Sequence, residues 1–277
     1  MITVERTGGA LGAVVEGVDL REPLDDVTFT EIADALWEHQ VLFFRDQPLT
    51  DEQQRAFATR FGPLDVFPVA KLMGLDTDMS VIEDTAESPP DADGWHTDIS
   101  WTETPPRIAV LNALVIPPHG GDTLWASLFA AFDALSPPLQ ELCCRLHVRH
   151  HSGPEFAAAI TRAAGPEIAA QVAEAYPPVE HPLVRAHPVT GRPALWLSGL
   201  FMDQVVELTR PESDALLAYL TTLVEDPNAQ VRWRWRAGDL AVWDEASTNH
   251  RALSDHFPQH RAMRRCTVVG EKPLPVA

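Results

Sequence analysis

The chemistry of this chain begins with two side chains two positions apart. The stretch Gly94-Trp95-His96-Thr97-Asp98-Ile99-Ser100-Trp101 sets an imidazole and a carboxylate at i and i+2. Its flanks read as β-strand, and alternate side chains of a strand leave the same face. His96 and Asp98 are thereby expected to grip one metal ion from one side, with Thr97 turned away. A third ligand is required, and the best candidate is His250, which closes Trp243-Asp244-Glu245-Ala246-Ser247-Thr248-Asn249-His250 after a strand-like run. Two imidazoles and one carboxylate on one face of an octahedron, with the other positions open, is the donor set of non-haem Fe(II) oxygenases. Alone, the His-x-Asp tripeptide says little, because chance supplies it often and a histidine near a strand is commonly a packed core or surface residue.

The residues after His250 add weight. In Gln259-His260-Arg261-Ala262-Met263-Arg264-Arg265-Cys266-Thr267-Val268-Val269, period-two alternation puts Arg261, Met263 and Arg265 on one face and Arg264 on the other. A guanidinium turned inward must meet an anion, since burying an unpaired charge is heavily penalised. Internal carboxylates could satisfy both, but their position after a metal ligand suits two anion sites beside the metal. The remaining histidines, His39, His119, His147, His150, His151, His181, His187, His256 and His260, have no competing spacing, and His150-His151 reads as a surface pair. Asp122 is expected to fix a turn, and Trp233 and Trp235 to pack in the core.

Taken in order, Gly17-Val18-Asp19-Leu20, Val41-Leu42-Phe43-Phe44-Arg45-Asp46-Gln47, Trp95 to Asp98, Gly120-Gly121-Asp122-Thr123-Leu124-Trp125, Val231-Arg232-Trp233-Arg234-Trp235, and Trp243-Asp244 leading to His250 and Arg261 resemble the taurine dioxygenase family of Fe(II)/2-oxoglutarate-dependent oxygenases nearly end to end. The resemblance implies an α+β fold, a double-stranded β-helix or jelly roll wrapped by helices. It implies Fe(II) on His96, Asp98 and His250, with 2-oxoglutarate as cosubstrate and O2 as oxidant. By matching position Arg261 takes the distal carboxylate of 2-oxoglutarate with the Thr123 hydroxyl as an added donor, a task for which a planar guanidinium is well shaped. Arg265 is similar to the residue that binds the substrate's sulfonate, and Phe201 to an apolar pocket wall. Where the taurine enzyme has polar groups, this chain aligns Phe67, Ala70 and Ala92. A pocket without those donors and acceptors suits longer, apolar tails. The expected substrate is an anionic organic molecule, a sulfonate first, with alkyl sulfates and aryloxy-carboxylates as alternatives. Relatives of this kind form dimers or tetramers, so a homo-oligomer is expected.

The elements that must position these residues are legible in part. Ala13 to Glu16 reads as a strand, residues 27–39 as an amphipathic helix, and Val41 to Phe44 as a buried strand. Thr50-Asp51-Glu52-Gln53 and Thr209-Arg210-Pro211-Glu212 are capping boxes, the second opening a helix to about Val224. Residues 66–75 read as a loop with strand character and 83–93 as an acidic surface loop. Arg107 to Ile116 is a strand ending at the turn Pro117 to Gly121. Ser136-Pro137 caps a helix, and Pro154 to Tyr176 reads as a helical, lid-like insertion (about 150–180) near the mouth of the site. Leu183 to His187 and Ala194 to Leu197 form a hairpin, and Val231 to Trp235 and Leu240 to Trp243 are strands.

At 277 residues and 45% hydrophobic content, with no linker or composition break, the chain reads as one domain, 1–277. Asp plus Glu number 40 against 21 Lys plus Arg, a formal charge of −19. Such a surface repels phosphate backbones and disfavours nucleic acid. No apolar run is long enough for a membrane span and the N-terminus lacks a signal pattern, so a cytoplasmic location is expected. Three cysteines make no disulfide framework. Two readings of another class stay open: a zinc hydrolase on the same triad, and a jelly roll that binds iron and 2-oxoglutarate without catalysis.

Overall fold

The computed structural model describes residues 2–90 and 93–276. Strands β1 (Thr3–Arg6) and β2 (Ala13–Glu16) precede helix α1 (Asp26–His39), strand β3 (Val41–Phe44) and helices α2 (Asp51–Ala58) and α3 (Pro68–Leu72). Strands β4 (Ser80–Asp84), β5 (Ile108–Val115) and β6 (Thr123–Ser127) follow, then α4 (Leu128–Asp133), α5 (Pro137–Cys143) and β7 (His147–His150). Helices α6 (Gly153–Ala164) and α7 (Pro166–Ala175) separate β7 from β8 (Val179–Pro182). Then come β9 (Val184–Ala186), β10 (Pro193–Leu195), β11 (Met202–Val205), α8 (Arg210–Val224), β12 (Gln230–Trp233), β13 (Leu240–Asp244), β14 (Thr248–Ala252) and β15 (Arg261–Val268).

A seven-stranded sheet in the order β1-β2-β3-β13-β5-β15-β4 is the larger of two that matter here, and a three-stranded sheet, β12-β6-β14, is the smaller. In the large sheet the apolar residues alternate between two cores, as a pleat of period two requires. Val41, Phe43, Ala109, Leu111, Ala241 and Trp243 pack with Trp125, Val231, Trp233 and Trp235 of the small sheet and the segment after it. Leu42, Phe44, Ile108, Val110, Leu240 and Val242 face the other way, onto Ile32 and Leu36 of α1 and Phe57 of α2. A sheet buried on both faces reads as near-continuous hydrophobic runs, and β3, β5 and β13 do.

Both capping boxes form: Thr50 and Gln53 exchange backbone-to-side-chain bonds at 3.2 and 2.9 Å, and the Thr209 N–H donates to Glu212 at 3.0 Å. Three expectations need correction. Residues 68–72 are a helix, initiated by Pro68 at the first turn, where its missing N–H costs nothing. Glu83 and Asp84 belong to strand β4, paired with Ala262 and Arg261 of β15, rather than to a loop. The helical insertion is two helices, because Gly165 (φ 91) followed by Pro166 breaks it. Among the described residues no helix is long and apolar enough to cross a membrane.

Candidate metal centre

His96 is not in a continuous strand. It forms one isolated antiparallel bridge with His250, the two residues exchanging backbone N–H to carbonyl bonds at 3.0 and 2.8 Å. His250 is held by β14, opposite Trp125 of β6. Residues 98–101 then form a turn, with Ile99 at φ 50. The site is therefore not built on i, i+2 strand geometry: a pairing across the chain aligns the two imidazoles, and a turn supplies the carboxylate. The result is the predicted convergence. The Asp98 Oδ1 stands 3.7 Å from His96 Nε2 and 3.8 Å from His250 Nε2. Donor atoms of the three residues all lie within 4.8 Å of one another, and all three side chains are buried.

Their protonation states suit a cation. His96 Nδ1–H donates to the Gly94 carbonyl at 2.8 Å, which leaves the Nε2 lone pair facing Asp98. Burial pushes His250 down to about 3 and lowers His96 as well, so both rings are neutral near pH 7. Burial, the largest influence on Asp98, would raise it, but the Arg265 guanidinium together with the His250 and His96 rings and a hydrogen bond from the Glu245 side chain outweighs this and holds the carboxyl below its usual range. Two neutral imidazoles and one carboxylate are the deprotonated donors a divalent metal requires. The residues present fit Fe(II).

Glu245 supports the turn from beneath. Its carboxyl accepts the Asp98 N–H at 3.0 Å and the Trp243 indole N–H at 2.7 Å. Burial, with Asp98 nearby, raises Glu245 well above the ordinary carboxyl range. Beyond the turn, His150 is fully buried, with Nδ1 3.1 Å from the Ser100 hydroxyl. The surface-pair expectation fails for it, because β7 turns it inward. His181 Nε2–H donates to the carbonyls of Ser100 and Thr102 at 2.9 and 3.0 Å.

The two arginines diverge. Arg265 places Nη1 3.1 and 3.0 Å from the two oxygens of Asp98, while its Nε and Nη2 have no protein partner among the described residues. Arg261, buried at the start of β15, donates from Nε to the Gly121 carbonyl at 3.1 Å and has Nη1 3.8 Å from Asp84. His256 is 3.2 Å from the same carboxylate. Thr123, two residues beyond Gly121, accepts from the Trp235 indole at 2.9 Å. Arg264 points to the opposite face, onto Gln54, Asp51 and the Leu49 carbonyl.

A cavity of about 210 Å³ opens beside the triad. Phe67, Phe156, Leu200 and Phe201 form apolar walls, Arg265 is its cation, and Glu155 lies at its edge on α6. Ala70 lies within α3 and is not among the lining residues. Ala92 lies outside the described residues. Glu245, Asp84, Glu155 and Phe156 were not picked out in the sequence. Glu245 had a signal, a carboxylate between Trp243 and Ala246 at the end of an apolar run; the other three had none that local pattern could supply.

The sequence matches the family model described as "Taurine catabolism dioxygenase TauD, TfdA family" over residues 3–267. It is 35% identical over 284 residues to an alpha-ketoglutarate-dependent sulfate ester dioxygenase of Pseudomonas putida, covering 99% of this chain and 92% of that one. It is 34% identical over 276 residues to an alkylsulfatase of Acinetobacter baylyi, covering 98% and 86%. The crystal structure of a taurine dioxygenase from Burkholderia xenovorans superposes with a TM-score of 0.83 at 34% identity, covering 99% and 93% of the two chains.

Proposed function

The chain belongs to the TauD/TfdA dioxygenase family, and from that premise we propose that it uses Fe(II), 2-oxoglutarate and O2 to hydroxylate an organic sulfate ester or sulfonate with an apolar tail. His96, Asp98 and His250 would hold the iron, and Arg261 with Thr123 the distal carboxylate of 2-oxoglutarate. The iron with its cosubstrate supplies the oxidising power, releasing succinate and CO2.

The chain's own groups do the positioning. Gly94 and Glu245 fix the orientation of His96 and of the Asp98 backbone before the ion binds. Once a cation faces Asp98, that carboxylate no longer depends on the Arg265 guanidinium for its counter-charge. The arginine's unpartnered Nε and Nη2 offer a pair of donors to the oxygens of a sulfate or sulfonate head. The apolar tail then lies against Phe67, Phe156 and Phe201, and these walls hold the carbon next to the head close to the metal and keep water out. The single observation that carries the substrate class is this one: a cavity whose cation adjoins the metal carboxylate and whose remaining walls are largely aromatic and aliphatic.

The same reading takes the facing sheets as a double-stranded β-helix in one domain. It takes α6 and α7 as a lid, since Phe156 and Ala159 reach the cavity from α6. Succinate formation with Fe(II) and 2-oxoglutarate across alkyl sulfates, alkyl sulfonates and aryloxy-carboxylates tests the assignment. Turnover coupled to sulfates or sulfonates, rising with chain length, is expected. Release of sulfate without 2-oxoglutarate would instead point to a hydrolase.

A further inference from the structure

The alternation Val231-Arg232-Trp233-Arg234-Trp235-Arg236 sends three tryptophan or valine side chains inward and three arginines outward. Arg232 is neutralised by Asp122 at 2.7 Å. Arg234 and Arg236 are exposed, and among the described residues neither has a carboxylate at ion-pair distance. In a chain carrying 40 acidic residues against 21 basic ones this is an uncommon arrangement. Both arginines line a cavity of about 360 Å³ together with Arg45, His119, Gly120 and Trp235, and no acidic residue is part of that lining.

The scaffold under these arginines is fixed. Buried Asp239 accepts the Arg236 backbone N–H at 2.8 Å and pairs with Arg45, which also donates to the Arg234 carbonyl at 3.1 Å and stacks 3.6 Å over Trp233. The one internal carboxylate at this place is thus spent on the frame. The guanidinium groups of Arg234 and Arg236 therefore line the cavity with no carboxylate of that lining to neutralise them.

We propose that this cavity is a second anion site, separate from the metal centre, that takes a small doubly charged tetrahedral oxyanion, sulfate or phosphate. Arg234 and Arg236 supply paired N–H donors, a geometry suited to such oxygens, and Arg45 and His119 complete the polar wall. Trp235 lines the cavity and donates to Thr123, and Gly120 adjoins Gly121, whose carbonyl holds Arg261. The site therefore abuts the residues assigned to the cosubstrate without sharing them.

Isothermal titration of the full chain with sodium sulfate and with sodium phosphate, at ionic strength held constant with sodium chloride, tests this. A saturable equivalent that persists in Arg265→Ala, and so does not sit at the metal centre, is expected. The pair Arg234→Gln and Arg236→Gln should weaken it by about tenfold or more, because each charge-assisted contact carries that order of affinity. Arg234→Lys with Arg236→Lys, which keeps the charge, should retain more of it. Glycerol phosphate separates the sources of this chemistry: tighter binding than inorganic phosphate assigns the site to an esterified metabolite, equal binding to the free ion. Unchanged binding in the double Gln variant, or binding matched by chloride, overturns the proposal.

Discussion

Replacing Arg265 by Ala removes the only cation that, among the described residues, is bonded to the buried Asp98 carboxylate. Breaking a buried pair by deleting one member costs about 3–5 kcal/mol, since the surviving charge stays desolvated. Here the Asp98 side chain is 5% exposed and that of Arg265 17%, and the deletion opens toward the cavity, so water reaches the carboxylate. The lower end, about 3 kcal/mol, follows. For a domain of this size that is a fall in Tm of roughly 6–12 °C. A divalent cation on the triad takes over as partner of Asp98, so the deficit should shrink to under about 1 kcal/mol when metal saturates the site. Thermal unfolding in EDTA and again with Mn(II) or anaerobic Fe(II), for wild type and Arg265→Ala, reads both quantities. Equal Tm values in EDTA, or a deficit untouched by metal, would refute the claim that this arginine stands in for the ion's charge.

His96→Ala or Asp98→Ala should abolish both the Mn(II)-dependent rise in Tm and turnover; a variant that keeps either removes that residue from the ligand set. Gly121→Ala places a methyl 3.0 Å from Arg261 Cδ at a φ of 70. It should cost roughly 1–2 kcal/mol of stability from the left-handed backbone and raise the KM for 2-oxoglutarate several-fold, with the KM for the sulfate or sulfonate little changed, and equal effects on both would contradict the separate placement of Arg261. His181 is lowered to about 4 by burial, against an unfolded value near 6.5. A histidine kept neutral by the fold contributes stability that is complete above the unfolded value and is lost as pH falls toward the folded one, about 3 kcal/mol between pH 6.5 and 4. Chemical denaturation across that range should show a shallower slope in His181→Gln, and an unchanged slope would mean that this ring does not titrate on unfolding.

Local pattern was enough for most elements. Continuous apolar runs marked β3, β5 and β13, period-two alternation marked β15, and two Thr-x-x-Glu/Gln boxes opened α2 and α8, because the signal for each sits within a few adjacent residues. The break at Gly165-Pro166 is also written in the chain, as a left-handed glycine followed by a proline at the first turn of α7. The helix at Pro68–Leu72 was hidden because five residues carry no helical period.

For the site, residue type and order named His96, Asp98, His250, Arg261 and Arg265 as the groups with chemistry to do. What only the tertiary structure decided is how they meet. The exchange of backbone bonds between His96 and His250 spans more than 150 positions, and no local periodicity records such a pairing. The turn that carries Asp98 depends on Glu245, and the partner of Arg265 is that same Asp98 rather than a distant surface acid. A buried charge demands a partner, which sequence can assert on physical grounds. Which partner satisfies it is fixed by distances across the fold, and those exist only once the sheets and the turn are in place.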